Sequence, residues 1–489
     1  MRRLIIPILC CLPALTIAQS KDKKTLSPNK DKKAIEAYLD QQAPAYADIA
    51  KKIWGYAEVG YQEEKSSALL QSTLQQEGFT VKAGIAGIPT AFVATYGSGQ
   101  PVIGILAEYD ALPGLSQVAE PRQKAIQEGG AGHGCGHNLF GTASVAAAVS
   151  VKNWLKEHNG KGTIRVYGCP AEEGGSGKVY MVREGMFNDV DAVLHWHPGN
   201  DNSATIFPWL SNKNAKFRFY GVAAHAAGAP EKGRSALDGV EAMDYMVNMM
   251  REHIPQETRI HYVITKGGDA PNVVPAFAEV YYYVRHPDMQ VVKDVWERLV
   301  KAAEGAAMGT GTRMDYEVIG GVYNMLPNET LSKIMDSNLR QVGGFTYTSE
   351  EREFAKRIQS TLIDRSKLPD LDTASATIRP FISDKHDAIG SSDVADVSWV
   401  TPTAGISTAT FVPGSSGHSW QNVAAAGSSI GAKGMMVAAK TIAFTAYDLF
   451  NDPAALATAK AELKKRQGPS FKYEAMLGNR APALDYRKK

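Results

Sequence analysis

The densest concentration of reactive side chains is Gly129-Gly-Ala-Gly-His133-Gly-Cys135-Gly-His137-Asn138, a glycine-rich turn ahead of an apolar helical stretch. Such a turn could cradle phosphate, but no Lys-Ser or Lys-Thr follows, which excludes a P-loop. No second cysteine pair is present to complete a zinc finger. The His133-Gly-Cys135-Gly-His137 spacing fits a thiolate and an imidazole held to one metal centre, on a backbone that glycine lets bend sharply. The alternative is an inert buried cysteine beside a hydrogen-bonded histidine, and it leaves the cysteine without a purpose. Glu172 and Glu173 follow in Pro170-Ala-Glu-Glu-Gly-Gly175. Adjacent side chains diverge, so one carboxylate can bind metal while its neighbour faces a water held there. A Lewis acid and a general base then stand side by side. Two solvated loop glutamates would be the simpler account in isolation; His197 and the Cys135/His137 cluster weigh against it. His418, in Pro413-Gly-Ser-Ser-Gly-His-Ser-Trp420, is by itself as readily an ordinary loop histidine as a ligand. His225 lies far from the others in sequence, and His158, His253 and His286 read as ordinary.

The elements that must position these residues alternate between buried strands and helices. Uninterrupted apolar runs at 102–107, 163–168, 191–195 and 404–411 predict buried strands; 34–54, 63–77, 139–157 and 427–449 predict helices, with Gly78 ending the second. That pattern predicts an α/β fold with a mostly parallel sheet covered by helices on both faces. Three of the strands run into polar residues: Glu108-Tyr-Asp110, Glu172-Glu173 beyond Cys169, and Trp196-His197. In open α/β sheets that edge carries the site. Between residues 212 and 324 the pattern becomes strand, helix, strand, strand, helix, strand, with strands that alternate polar and apolar. This predicts an inserted ferredoxin-like α+β unit. Residues 343–387 are polar and irregular and receive no element.

Length and composition set the outer bounds. A chain of 489 residues with 44% hydrophobic and 21% charged residues is globular and large enough for a sizeable core. A formal net charge of +2 gives no electrostatic case for nucleic-acid binding. Arg2 and Arg3 precede an apolar run over residues 4–17, and Thr16-Ile17-Ala18 offers small residues at cleavage spacing. Residues 1–18 are therefore expected to be a signal peptide, too short for a comfortable membrane span. Its loss leaves 51 basic against 51 acidic residues and removes Cys10 and Cys11 from the four cysteines. The mature protein is expected to be exported, periplasmic or secreted, with no membrane association. Residues 19–33 are lysine-rich and expected as a solvated linker.

Taken in order, Glu108-Tyr-Asp-Ala-Leu-Pro113, Gly134-Cys-Gly-His-Asn138, Pro170-Ala-Glu-Glu-Gly-Gly175, His197-Pro198, residues 221–230 and His418-Ser419 resemble one known family. It is that of the aminoacylase/carboxypeptidase-type metal-dependent amidohydrolases. The likeness runs from about residue 34 to residue 450. It implies a discontinuous catalytic domain (34–211 and 325–450), an inserted lid that also dimerises (212–324) and a C-terminal extension (451–489). It implies one or two divalent ions, zinc, manganese or cobalt, with Cys135, His137, Glu173, His197 and His418 as ligands. By the same resemblance Glu172 is the general base, His225 the lid histidine that polarises the scissile carbonyl, with the partner subunit's site as one place for it. Asn272 is a lid contact to substrate, and Asp110 an orienter behind the ligands. The chain departs from the family at Glu108, where many relatives have histidine, and at Asn138, where cysteine-containing members commonly have aspartate. The implied activity is hydrolysis of an amide joining an acyl or aroyl group to an amino acid, in a homodimer. An exported aminopeptidase or carboxypeptidase is the alternative, and a non-catalytic binding protein the rival from another class. Arg234 and Arg285 are both candidates to pair with a substrate carboxylate.

Overall fold

The computed structural model describes residues 29–206, 208–366, 368–383 and 390–488. The expected signal peptide, and residues 19–28 of the expected linker, lie outside them. The chain opens with α1 (Lys30–Tyr56), α2 (Glu64–Gln76), β1 (Thr80–Ala83), β2 (Phe92–Ser98) and β3 (Val102–Glu108). α3 (His137–Glu157), β4 (Gly162–Cys169), α4 (Gly177–Arg183) and β5 (Ala192–Gly199) follow. A second unit then begins: β6 (Ser211–Tyr220), α5 (Ala236–Met250), β7 (Arg259–Lys266), β8 (Phe277–His286), α6 (Met289–Thr310) and β9 (Arg313–Val322). The chain returns through α7 (Glu329–Val342), α8 (Ser349–Gln359), α9 (Leu371–Ala376), α10 (Val394–Ser398), β10 (Thr403–Ala409), α11 (Trp420–Ala426), α12 (Ser429–Asn451) and α13 (Pro453–Gln467).

The first sheet has the order β1-β2-β4-β3-β5-β10. β3 pairs in parallel with β4 and β5, and β5 with β10, whereas β2 is antiparallel to both β1 and β4. Every residue of β3 is buried, as expected for a central strand covered on both faces. α3 is buried along most of its length because it packs between the sheet, α1 and α12. Its composition, rich in Ala, Val, Ser and Gly, allows that close approach. The second sheet is antiparallel, in the order β7-β8-β6-β9. With α5 and α6 it makes the split βαβ arrangement predicted for the insertion. Phe217, Val280, Tyr282, Met243, Val247, Val295 and Leu299 form its core.

Three local expectations are corrected. The linker stretch already contains the start of α1, capped by Asn29, and Lys32 is buried with its Nζ 2.8 Å from Asp448. A run of lysines looks uniformly solvated in sequence, but helical geometry turns this one inward. β5 continues beyond residue 195 because β10 pairs with it as far as Ala409↔Gly199, so His197 lies within the strand rather than after it. The stretch from residue 343 holds α8 and α9, the former with a Thr348/Glu351 capping box. Residues 367 and 384–387 of that stretch lie outside the described residues.

Candidate metal centre

The predicted ligands meet at the carboxyl edge of the first sheet. Three overlapping groups have donor atoms within 4.8 Å of one another: Cys135/His137/His197, Cys135/Glu173/His418 and His137/Glu172/Glu173. Four backbone devices bring them there. Gly136, at φ +77°, turns the chain into α3, and a Cβ there would stand 2.9 Å from Pro198, so glycine alone fits. Ala171 (φ 56°), Ser176 (φ 58°) and His418 (φ 56°) are non-glycine residues in the left-handed region, two of them flanking the glutamate pair. Such strain gathers where the surroundings over-determine a functional geometry.

Within the centre, Cys135 Sγ is 3.3 Å from His197 Nε2, and His418 Nε2 is 3.2 Å from Glu173 Oε1. The histidines are oriented from behind. His137 Nδ1 is 2.8 Å from Asp110 Oδ1 and His197 Nδ1 is 2.8 Å from the Pro198 carbonyl, so each ring donates through Nδ1 and turns Nε2 into the centre. Asp110 also accepts from the backbone N–H of Glu173 at 2.9 Å, so one carboxylate contacts both His137 and the glutamate turn. Tyr486 Oη and the Arg487 guanidinium both donate to the Glu173 carbonyl at 3.0 Å. His133 is not part of the set: its Nε2 bonds the Ile53 carbonyl at 3.1 Å, and burial holds its pKa down at about 4.

Behind the ligands lies a charge network that sequence reasoning missed. Lys178, fully buried, has its Nζ 2.7 Å from Glu108 Oε1 and 2.6 Å from Asp393 Oδ1, and Glu108 Oε2 is 3.1 Å from His137 Nε2. Burial, reinforced by Glu108, Glu173 and Asp393, raises the Glu172 carboxyl well above the ordinary range. Burial also pushes the Cys135 thiol up. At Glu173 burial is outweighed by His418 and His137, which hold its carboxyl down. Glu108, Asp110, Glu172, Glu173 and Asp393 thus face one lysine among the described residues. Glu173 Oε1 and His137 Nε2 are buried, and the near neighbours of each are other metal-type groups, His418 Nε2 and Glu108 Oε2. Soft, imidazole and carboxylate donors, gathered with excess negative charge, fit one or two divalent ions.

Cys135, Glu172, Glu173, His197 and His418 line a cavity of about 640 Å³, together with His195, Ile206, Trp209 and Met325. A smaller chamber of about 180 Å³ shares Glu172, Glu173, Ser391 and Ser392 with it and is lined by Tyr283 and Arg285. Arg234 is elsewhere, donating to the Glu231 and Gly233 carbonyls. The structure does not bring His225 and Asn272 to this centre. They lie on facing loop segments of the lid's exposed surface, joined by an isolated bridge between His225 and Val273, with Ala226 N donating to Asn272 O at 3.1 Å, and neither lines the cavity of its own chain. His225 Nδ1 accepts from the backbone N–H groups of Ala227 and Gly228, which leaves Nε2–H as an outward donor.

Comparison with known proteins supplies independent findings. Residues 211–310 match the model of a peptidase dimerisation domain of the M20 type. The chain is 44% identical over 455 residues to a p-aminobenzoyl-glutamate hydrolase subunit of Escherichia coli, across 88% of this chain and 93% of that protein. It is 28% identical over 440 residues to mouse Xaa-Arg dipeptidase, across 87% and 90% of the two chains. Its fold is similar to that of a Bacillus subtilis protein described as a dinuclear metal binding peptidase from the M20 family. The TM-score is 0.56 at 17% identity, over 86% of this chain and 99% of that one.

Proposed function

Since the chain belongs to the M20 family of metal-dependent hydrolases, and is an amidohydrolase of the p-aminobenzoyl-glutamate hydrolase type, we propose that it cleaves the amide bond between an acyl or aroyl group and an amino acid. Membership of this enzyme family sets aside the non-catalytic binding protein. The observation that carries the proposal is the convergence of five metal-type donors and Glu172, all but the buried His137 lining one cavity. Cys135, His137, Glu173, His197 and His418 would hold the metal. When bound, the metal supplies a Lewis acid and an acidified water.

This chain's own residues do the rest. Glu172 takes the proton of the attacking water on its carboxylate and delivers it to the amide nitrogen as the C–N bond breaks. A raised carboxyl pKa suits a group that must both accept and return a proton. Asp110 keeps His137 in one tautomer and the Glu173 backbone in place. His225 donates Nε2–H to the carbonyl oxygen as charge develops, from the partner's lid, which its exposed position favours. Arg285 pairs with the amino-acid carboxylate in the smaller chamber, beside Asn272 of the partner's lid. Exposed Tyr245, Met249, Val263 and Ile264 on α5 and β7 favour a homodimer through the lid.

A second reading, hydrolysis of dipeptides, is favoured by the similarity to Xaa-Arg dipeptidase. The test is to assay aroyl-glutamate, acyl-amino-acid and dipeptide substrates before and after chelation and metal add-back, with Glu172→Gln alongside. The expected outcome is turnover of aroyl-glutamate that chelation removes and metal restores. Glu172→Gln should lose at least about 10²–10⁴-fold in kcat with its metal content unchanged. Near-normal activity in that variant would remove the base assignment, and a clear preference for dipeptides would favour the second reading. Export is part of the proposal, on the strength of Arg2-Arg3 and the apolar run behind them. Native protein whose N-terminus is Gln19 supports it; cytoplasmic protein retaining Met1 overturns it.

A further inference from the structure

The larger chamber contains a histidine that the chemistry above does not use. His195 lies on β5 two residues before His197. It therefore shares a face of the sheet with that ligand, roughly 6–7 Å further along at the usual rise of a strand. Both its ring nitrogens are buried and without a hydrogen-bond partner among the described residues. Its ring lies across β10 at Gly405, its register partner, where a Cβ would stand 2.2 Å from Cε1 and 2.3 Å from Nε2. Trp209 stands on the chamber side, its ring centroid 5.7 Å from that of His195. A glycine on the neighbouring strand thus seats an imidazole that has no hydrogen-bond partner among the described residues. A buried polar group left unpaired costs stability, so its retention calls for a ligand.

The rest of the lining says what kind. Ile206, Trp209, Met325, Pro327 and Ile406 make apolar walls, and no lysine or arginine lines this chamber among the described residues. A carboxylate is poorly served there, beside Glu172, Glu173 and Asp201. The smaller chamber, which shares the two glutamates, has Arg285. The two halves of an amide substrate are therefore distinguishable by charge.

Resting on the amidohydrolase reading, we infer that the larger chamber receives a flat, uncharged aromatic acyl group, and that His195 hydrogen-bonds a polar substituent at the end of the ring remote from the scissile carbonyl. One six-membered ring spans the distance along β5 between His197 and His195, and Trp209 offers a face for it to pack on. His195 is then a specificity-determining residue: a site built to hydrogen-bond a substrate group rejects the analogue that lacks it.

The test compares 4-aminobenzoyl-glutamate with benzoyl-glutamate on the metal-loaded enzyme, in wild type, His195→Phe and His195→Gln. Within each protein the ratio of kcat/KM values cancels any general loss of activity. Wild type should prefer the amino-substituted substrate by about tenfold or more; the ratio should fall to near one in His195→Phe and recover in part in His195→Gln. Calorimetric binding of 4-aminobenzoate against benzoate reads the same preference without turnover, and in wild type needs no variant to fold. A wild type that does not distinguish the two, by kinetics and by calorimetry, or a preference that survives His195→Phe, overturns the inference. Failure to hydrolyse any amide, with the calorimetric preference present and lost in His195→Phe, would sink the activity while leaving the chamber's selectivity standing.

Discussion

Lys178 is the residue on which the charge balance behind the centre depends. It is fully buried and its ammonium lies between Glu108 and Asp393; Asp393 also accepts from the Lys178 backbone N–H at 2.8 Å. Buried ions cost several kcal/mol each to desolvate, and only close pairing offsets that. Lys178→Met keeps the stem but leaves two buried carboxylates facing each other beside Glu172. It should lower the unfolding free energy by about 3–5 kcal/mol, the usual result of breaking a buried pair from one side. Urea denaturation of the metal-free protein checks it, and a loss within about 0.5 kcal/mol, typical of a surface change, would show the lysine to be solvated. The contrast with Glu172 is instructive. Paired glutamates in a Pro-Ala-Glu-Glu-Gly-Gly turn, next to Cys/His spacing, are legible because acidic residues in such a context have few structural reasons to exist. A lysine at the start of a short helix has an ordinary one, solvation, and its burial depends on Glu108 and Asp393, 70 and 215 residues away. His195 was hidden differently: it ends a run that reads as a purely apolar strand, and only its register with Gly405 reveals the seat.

At the scale of elements, the buried strands and the inserted unit were legible because their periods differ, uninterrupted apolar runs in one sheet and clean alternation in the other. What local pattern could not reveal is where strands stop and which distant segments pack on them. β5 runs two residues past the ligand-bearing position because β10, contributed some 200 residues later, pairs with it. The C-terminal segment, expected only as an extension, returns across both units after α13. Tyr473 Oη donates to Asp396 at 2.7 Å, Arg183 reaches the Arg480 carbonyl at 2.7 Å, and Tyr486 and Arg487 hold the Glu173 carbonyl. Asp396, on α10, also accepts from Tyr323 N at the end of β9, so it ties the tail to the exit of the lid. Burial, against those hydrogen bonds, lifts its carboxyl from the ordinary 3.8 to about 7. The folded state therefore keeps a proton that the unfolded chain releases above pH 4. The stability from this group is complete below about pH 4, declines as pH rises and is lost by about pH 7, by on the order of 4 kcal/mol at most. Asp396→Asn cannot titrate there. The difference in unfolding free energy between wild type and Asp396→Asn should thus shift against wild type as pH rises from 4 to 7. A difference that stays flat across that window would mean that Asp396 is ionised throughout.

At the scale of the molecule, the metal-type donors and the proposed base Glu172 come together within one chain, whereas the proposed carbonyl donor His225 does not join them. His225, on the exposed face of the lid, keeps a free Nε2–H and does not line its own chain's cavity. Exposed apolar side chains on α5 and β7 of the dimerisation domain give the lid a surface to pair with a second copy. In a two-fold dimer the exchange is reciprocal, so each lid would complete the other subunit's site. Subunit mixing tests this directly. Glu172→Gln lacks the base but keeps its lid histidine; His225→Ala keeps the base but lacks the donor. Each homodimer should be nearly inactive. In a mixed dimer the site holding Glu172 meets the intact His225 of the other chain, whereas the second site has neither group. Random re-association of equal amounts makes half the dimers mixed with one working site each, so activity should return to about a quarter of the wild-type value. If the lid histidine instead serves its own chain, mixed dimers contain only singly damaged sites, and no activity returns. A null result has a second source, a chain that forms no homodimer. Mixing two forms of one chain would then likewise restore nothing. The purified protein would in that case run as a monomer in light scattering, whereas a histidine acting within its own chain leaves the dimer intact.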